Sequence, residues 1–87
     1  MAKVNFSRIS MKDIEGNVLK ANFRKELGNQ LYMQGRNIEE CELGKKIYFT
    51  AEDKETELNE KEIGMIKQAI VGYGFVARTA IEEALGK

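Results

Sequence analysis

The sequence 59-NEKEIGMIKQAIVGYGFVARTAIEEAL-85 has the most extended helical periodicity of the chain. Its apolar residues recur in steps of three and four over more than twenty positions, as on the buried face of an amphipathic helix. Asn59 and Glu62 have the spacing of a capping box, which marks a helix start. The stretch therefore predicts a C-terminal helix that is the longest element of the fold.

A second apolar stripe lies beside the first on the same predicted helix. Residues 69–77, in the middle of this helix, carry no charge. Gly72 and Gly74 fall in this uncharged centre, where each glycine costs a helix about 1 kcal/mol relative to alanine. Either the helix packs closely against another backbone there, or it is broken into two helices over about 60–72 and 75–86. We interpret the second stripe, together with Tyr73 of the first, as a candidate interface between copies of the chain. The residues of this interface are Met65, Ala69, Gly72, Tyr73 and Val76.

The N-terminal residues have the alternating pattern of a strand. Apolar and polar side chains alternate over residues 3–14, but the phase slips by one residue between Phe6 and Ile9. A slip of one residue moves every later side chain to the opposite face of a strand. A β-bulge near Ser7–Arg8 would restore the original facing.

A turn and a second strand follow. Residues 13–17 include Gly16 and Asn17, which tolerate positive φ. Residues 18–23 alternate again, so the two strands predict an antiparallel β-hairpin. The second strand presents on one face Leu19, Ala21 and Phe23.

The middle of the chain predicts two short helices. Residues 24–34 carry Leu27 and Leu31 four positions apart, and Gly35 is a plausible stop. A second helix begins at Asn37, where the capping-box spacing recurs. Its expected inward stripe is Ile38, Cys41, Gly44, Ile47, Tyr48 and Ala51. Residues 56–58 have the pattern of a short strand that could join the hairpin.

Length and composition predict a single α+β domain over residues 1–87. An N-terminal antiparallel β-hairpin would pack against two or three helices, with the C-terminal helix longest. No stretch has the roughly 20 apolar residues that a membrane span needs, and the first residues lack the apolar core of a secretory signal. We expect a cytoplasmic protein without a membrane partner. The residues expected in the core are Phe6, Ile9, Leu19, Phe23, Leu27, Leu31, Ile47, Ile66, Ile70 and Tyr73.

The sequence predicts no catalytic, cofactor-binding or metal-ligating residues. There is no histidine, and the one cysteine, Cys41, has three neighbouring glutamates that oppose thiolate formation. We interpret Cys41 as a packing residue. The acidic residues of the middle segment do not follow the alternate spacing of a calcium loop. We therefore expect no enzymatic activity and no cofactor.

Charge is balanced over the whole chain, with 14 basic and 14 acidic residues, but it is unevenly distributed. Residues 1–36 are basic and residues 37–62 are acidic. The two segments can pair within one subunit or between subunits. The basic end gives an alternative function, a small nucleic-acid-binding regulator. Its candidate contacts are Lys20, Arg24, Lys25 and Arg36.

Three runs carry a resemblance to a group of known proteins: KELGNQLY at 25–32, ELGKKIY at 42–48 and ELNEKE at 57–62. On the basis of these runs, nearly the whole chain resembles small uncharacterised proteins of bacterial phages, prophages and conjugative elements. Those proteins open with a two-stranded segment and close with a long C-terminal helix. The resemblance implies a phage or mobile-element setting in the cytoplasm, and it supplies no catalytic residues.

These observations favour a non-enzymatic interaction, assembly or accessory module over a nucleic-acid-binding regulator, and place an enzyme last. A chain this short buries only about 60% of its unfolded surface, so association would stabilise it. We expect a homo-oligomer formed through the C-terminal helix. The competing expectation is that the first two helices cover both apolar stripes within one subunit.

Overall fold

The computed structural model describes residues 2–86, over which strands and helices are mixed as the sequence predicts. The elements in chain order are β1 (Ala2–Val4), β2 (Ile9–Lys12), β3 (Val18–Ala21), α1 (Arg24–Met33), α2 (Ile38–Tyr48), β4 (Thr56–Leu58), α3 (Glu60–Ala69), a 3-10 turn (Ile70–Gly72) and α4 (Phe75–Ala84). The α+β class and the N-terminal hairpin are confirmed.

The first predicted strand is two strands that belong to different sheets. A turn separates β1 from β2, and the Arg8 amide donates to the Asn5 carbonyl at 3.1 Å inside it. β1 pairs with β4 in antiparallel register, with Val4 opposite Thr56, whereas β2 pairs with β3. The predicted bulge is therefore wrong, because the chain changes sheet where the hydrophobic phase slips. The short strand at residues 56–58 exists, but it pairs with β1 and not with the hairpin.

The β2–β3 hairpin closes through the predicted turn. The Asp13 side chain accepts hydrogen bonds from the Glu15 and Asn17 amides at 2.9 and 2.8 Å, and Gly16 has a φ of 88°. The hydrogen bonds from Asn17 hold the pKa of Asp13 below its usual value. Helix α4 packs on β2, where Ile9 is buried at the open end of the hairpin. Leu19 lies nearer the turn, opposite Met11, and is 48% exposed, so its predicted burial is wrong.

Helices α1 and α2 form the most extensive helix pair. At the start of α2, the Asn37 side chain accepts from the Glu40 amide at 2.9 Å, while the Glu40 carboxylate accepts from the Arg36 amide. The Asn37 half of the predicted capping box is thus present, whereas the Glu40 carboxylate binds the Arg36 amide instead of the Asn37 amide. The predicted inward stripe of α2 is wrong at both ends, because Ile38 is 74% exposed and Ala51 is exposed beyond the end of the helix. The buried residues of α2 are Leu43, Gly44 and Ile47.

The predicted long C-terminal helix is wrong, because the chain breaks at its glycines. α3 and α4 have 10 residues each, and the longest helix is α2 with 11. Tyr73 and Gly74 are extended between them, with ψ angles of 158° and 154°. The apolar phase continues across the break because both helices cover the same core. The capping box of Asn59 and Glu62 is confirmed in both directions.

The core lies between the two small sheets and the four helices. Most of the residues predicted for it are buried, whereas Tyr73 is only half-buried and packs at its edge. The buried apolar residues are Val4, Phe6, Ile9, Phe23, Leu27, Leu31, Leu43, Ile47, Leu58, Ile66, Ile70, Ala80, Ile81 and Leu85. The basic and acidic segments of the chain are in contact within one subunit, because Lys3 of the basic segment pairs with Glu57 of the acidic segment at 3.7 Å.

Candidate interaction surfaces

Helices α1 and α2 carry an internal repeat. Glu26–Tyr32 reads ELGNQLY and Glu42–Tyr48 reads ELGKKIY, with the same glutamate, leucine, glycine and tyrosine. In each copy, the leucine and glycine are buried and the last residue is a partly or largely exposed tyrosine. The repeat predicts two equivalent helices that meet through the same positions.

The two repeat glycines form the crossing of α1 and α2. A Cβ atom placed on Gly44 would lie 2.5 Å from the Gly28 carbonyl oxygen and 2.7 Å from the Tyr32 amide. A Cβ atom placed on Gly28 would lie 2.9 Å from the Tyr48 Cβ. Each glycine therefore contacts its partner glycine and the partner's tyrosine. Glycine is required at both positions because the backbones are in contact.

The close crossing leaves a cleft of about 310 Å³ on the outer side of the α1–α2 pair. We call it the aromatic cleft, and it is lined by Gly28, Asn29, Tyr32, Gly44, Lys45, Tyr48 and Phe49. Phe49 is 78% exposed and Tyr32 49% exposed. The ammonium of Lys45 lies 5.8 Å from the centre of the Tyr32 ring, and the guanidinium of Arg24 lies 6.0 Å from the centre of the Tyr48 ring. The cleft thus combines accessible rings with cations.

A second depression, which we call the α1–α4 groove, lies on the other side of α1 and measures about 750 Å³. Met33, on its α1 side, is 77% exposed. On the opposite side, Gly72 and Gly74 would each accept a Cβ without any contact within 4 Å. The groove is lined by Phe23, Glu26, Asn29, Gln30, Met33, Gln34, Gly72, Tyr73, Gly74 and Ala77.

Tyr73 is the titratable group of the groove with the clearest perturbation. Its ring lies 5.9 Å from that of Phe23, and its hydroxyl is buried without a hydrogen-bond partner within residues 2–86. Burial, with the negative charge of Glu26 as a smaller contribution, raises the pKa of Tyr73 to about 12. The hydroxyl is therefore neutral at physiological pH, and its donor is unused by the part of the chain that the structure describes.

The predicted interface residues are divided between two adjoining depressions. Gly72 and Tyr73 line the α1–α4 groove. Met65 and Ala69 line a neighbouring depression between α1 and α3 that also includes Gly72. Val76 is half-exposed on α4 and lines neither. The periodicity predicts one continuous stripe of interface residues, and the break between α3 and α4 divides these residues between separate surfaces.

The four basic residues predicted for nucleic-acid binding lie in three different parts of the fold. Lys20 is on the hairpin and donates to the Ser10 hydroxyl, and Arg36 lies beyond the far end of α1, where it pairs with Glu40 at 3.5 Å. Arg24 and Lys25 are adjacent at the start of α1. The Arg24 guanidinium donates to the Tyr48 carbonyl and to the Ser7 hydroxyl.

The structure places Cys41 beside the α1–α2 connection. Its thiol is partly buried and donates to the Tyr32 carbonyl at 3.4 Å. Over residues 2–86, no cluster of three or more carboxylate or thiolate side chains is arranged to hold a metal ion. Within the same residues, every helix is too short or too polar to cross a membrane.

The aromatic cleft was not among the features predicted from the sequence. The signal that locates it is the repeat: a glycine and, four residues later, a tyrosine in each of two neighbouring helices. The four-residue spacing places both on one helix face, so two such helices that cross at glycine bring their tyrosines to the same side. No protein-family model, curated protein or solved structure matches the chain.

Proposed function

We propose that the protein is a non-enzymatic interaction module that works by association with a second copy of itself through the α1–α4 groove. Large exposed apolar side chains in the lining of the groove, or adjacent to its lining residues in the sequence, support this proposal. Met33 lines it, and Val71, Phe75 and Val76 adjoin its lining residues in sequence and are at least half-exposed. Exposed apolar residues that cluster around a concave surface are typical of protein–protein contacts.

The two glycines of the groove give a second, independent support. In residues 2–86, positive φ angles among glycines occur at Gly16 and Gly86, so neither Gly72 nor Gly74 needs glycine for its backbone conformation. Neither is crowded by its own subunit. A partner that approaches the backbone closely gives a reason for glycine at these positions.

The biological setting in this proposal is an assembly or accessory role in a phage or mobile genetic element, in the cytoplasm of a bacterial cell. It is supported by the resemblance of the sequence to small proteins of such elements. An interaction role also fits a chain whose surface has open depressions and whose size limits its own core.

The test is the mass of the protein in solution, by light scattering or sedimentation equilibrium from low to high micromolar concentration. Gly72→Leu places a bulky side chain into the groove, where the subunit itself leaves room. We expect it to weaken association about tenfold or more, as for residues at the centre of an interface. Phe75→Ala should weaken association as well.

Gly64→Leu is the matched control. Gly64 is exposed on α3, also has open space around its Cβ position, and lines neither the groove nor the neighbouring depression. We expect Gly64→Leu to associate as the unmodified protein does. A monomeric mass at high micromolar concentration would overturn the proposal, and so would equal effects of the two leucine substitutions.

The alternative of a regulator that uses all four predicted basic residues is less well supported, because Lys20 lies on strand β3, Arg36 lies beyond the far end of α1, and each binds another group. Only Arg24 and Lys25 lie side by side. Arg24 also lies beside the Tyr48 ring of the aromatic cleft.

A further inference from the structure

The aromatic cleft has a composition unlike that of the α1–α4 groove. It presents the rings of Tyr32, Tyr48 and Phe49, and the Phe49 ring lies 5.1 Å from the Tyr48 ring in an edge-to-face arrangement. Phe49 immediately follows α2 and is too exposed to contribute to the core. Exposed aromatic rings grouped around a cleft are typical of binding sites, and these rings suit a ligand with flat π surfaces.

Cations lie around these rings. Lys45 lines the cleft, and its pairing with Glu42 at 3.9 Å joins two side chains that are both more than half exposed, which makes the pair weak. Lys25 precedes Tyr32 by seven residues on α1, so it lies on the same helix face two turns away. Arg24 is held beside the Tyr48 ring by its hydrogen bond to the Tyr48 carbonyl. Positive charge is thus placed next to the exposed rings.

We propose that the aromatic cleft binds single-stranded nucleic acid. Bases stack on the rings of Tyr32 and Phe49, and the phosphates between them are neutralised by Lys45 and Lys25. Exposed aromatic rings combined with neighbouring cations are the means by which small domains hold single strands without reading their sequence. The occupant follows from two complementary features of the cleft: flat rings for bases and positive charge for phosphates.

The same features distinguish this ligand from the other polyanions. A duplex hides the faces of its bases in the stack, so only its phosphates would reach the cleft. The net charge of the chain is zero, and phosphate contacts alone therefore give little affinity. An acidic peptide supplies charge but few π surfaces. The rings and cations of the cleft together favour a ligand that has both negative charge and flat π surfaces.

The test is fluorescence anisotropy of a labelled oligothymidylate of about twelve nucleotides, within the site sizes of small single-strand-binding folds. We expect binding at low salt, weaker binding to a duplex of equal length, and little competition from polyglutamate. With two or three phosphates neutralised, the plot of log affinity against log salt should have a slope of roughly −1.4 to −2.1. Lys25→Gln should reduce this slope by about 0.7, and Lys12→Gln, on the hairpin, should leave it unchanged.

The aromatic variants have a matched control. Phe49 and Phe75 are 78% and 74% exposed on different surfaces. Phe49→Ala should weaken oligonucleotide binding at least about fivefold, the loss expected for one stacked base, and Phe75→Ala should change it by less than about twofold. Tyr32→Ala should weaken binding as well, and Tyr32→Phe should retain it because the ring remains. Circular dichroism verifies that each variant is folded.

Three results would overturn this proposal: no binding of the oligonucleotide at low salt, equal effects of Phe49→Ala and Phe75→Ala, or equal competition by polyglutamate. Self-association is measured without any oligonucleotide and depends on Gly72 and Phe75. The two proposals can therefore fail separately.

Discussion

The crossing of α1 and α2 gives the most quantitative test of the fold, through the substitution Gly44→Ala. The added methyl group would lie 2.5 Å from the Gly28 carbonyl oxygen, whereas ordinary contacts begin at 3.4 Å. Neither atom belongs to a flexible side chain that can move aside. The helices must therefore separate by about 0.9 Å, and a gap of this size removes a quarter to a half of the dispersion energy between facing atoms.

The expected loss of stability follows from two opposing terms. Overpacking in a well-packed core costs about 1–3 kcal/mol, and a clash with backbone belongs at the upper end of that range. Alanine gains about 1 kcal/mol over glycine in a helix interior. The free energy of unfolding of Gly44→Ala should therefore fall by about 2 kcal/mol, which lowers the melting temperature of a domain of this size by roughly 10 °C.

Gly64→Ala is the matched control, because it makes the same change in a helix interior with nothing within 4 Å of the new Cβ. Only the helix propensity changes there, so the free energy of unfolding should rise by about 1 kcal/mol. Urea denaturation followed by far-UV circular dichroism measures both variants, at one protein concentration because association contributes to stability. If Gly44→Ala is as stable as the unmodified protein, or if both variants shift in the same direction, the assigned crossing is incorrect.

Three further substitutions test individual interactions. Asn59→Ala removes the side-chain half of the α3 capping box and should lower the free energy of unfolding by about 1 kcal/mol in urea denaturation; no change would contradict the cap. Tyr73 ionises near pH 10.0 when unfolded but near pH 12 when folded, so its contribution to stability is complete below pH 10 and is lost as the pH rises to 12. Tyr73→Phe should remove this part of the pH dependence of unfolding, and an unchanged profile would contradict the burial of the hydroxyl. Cys41→Ser keeps a donor to the Tyr32 carbonyl and should cost less than about 1 kcal/mol without affecting association or binding; loss of either activity would show that the thiol has a functional role.

Local signals in the sequence predicted local structure well. The Asn59 cap, the turn at Asp13–Asn17 and the Gly35 stop each depend on a few neighbouring residues, and each lies where it was expected. Gly35 follows the end of α1 and contacts the α1 backbone so closely that a Cβ there would lie 2.5 Å from the Leu31 carbonyl oxygen. Such features need no knowledge of distant residues.

The sequence-based predictions were wrong where contacts between residues distant in the sequence determine the structure. The periodicity of residues 60–85 does not distinguish one helix from two that cover a common core, and the extended backbone at Tyr73 and Gly74 separates them. The burial of Leu19 depends on how far α4 extends along the hairpin, which its own strand pattern cannot show. The pairing of β4 with β1 joins residues more than fifty positions apart.

The repeat connects the fold to the proposed binding site. Gly28 and Gly44 determine the distance between α1 and α2, and each contacts the tyrosine of the opposite helix. The packing that buries Leu27 and Leu43 therefore also determines the spacing of Tyr32 and Tyr48 at the cleft. Gly44→Ala, which separates the helices, should consequently weaken oligonucleotide binding even under conditions in which it remains folded. The groove of the self-association proposal is lined from α1, the 3-10 turn and α4, without any residue of α2. Association should therefore be much less sensitive to this substitution, and equal losses of association and binding would argue against two separate surfaces.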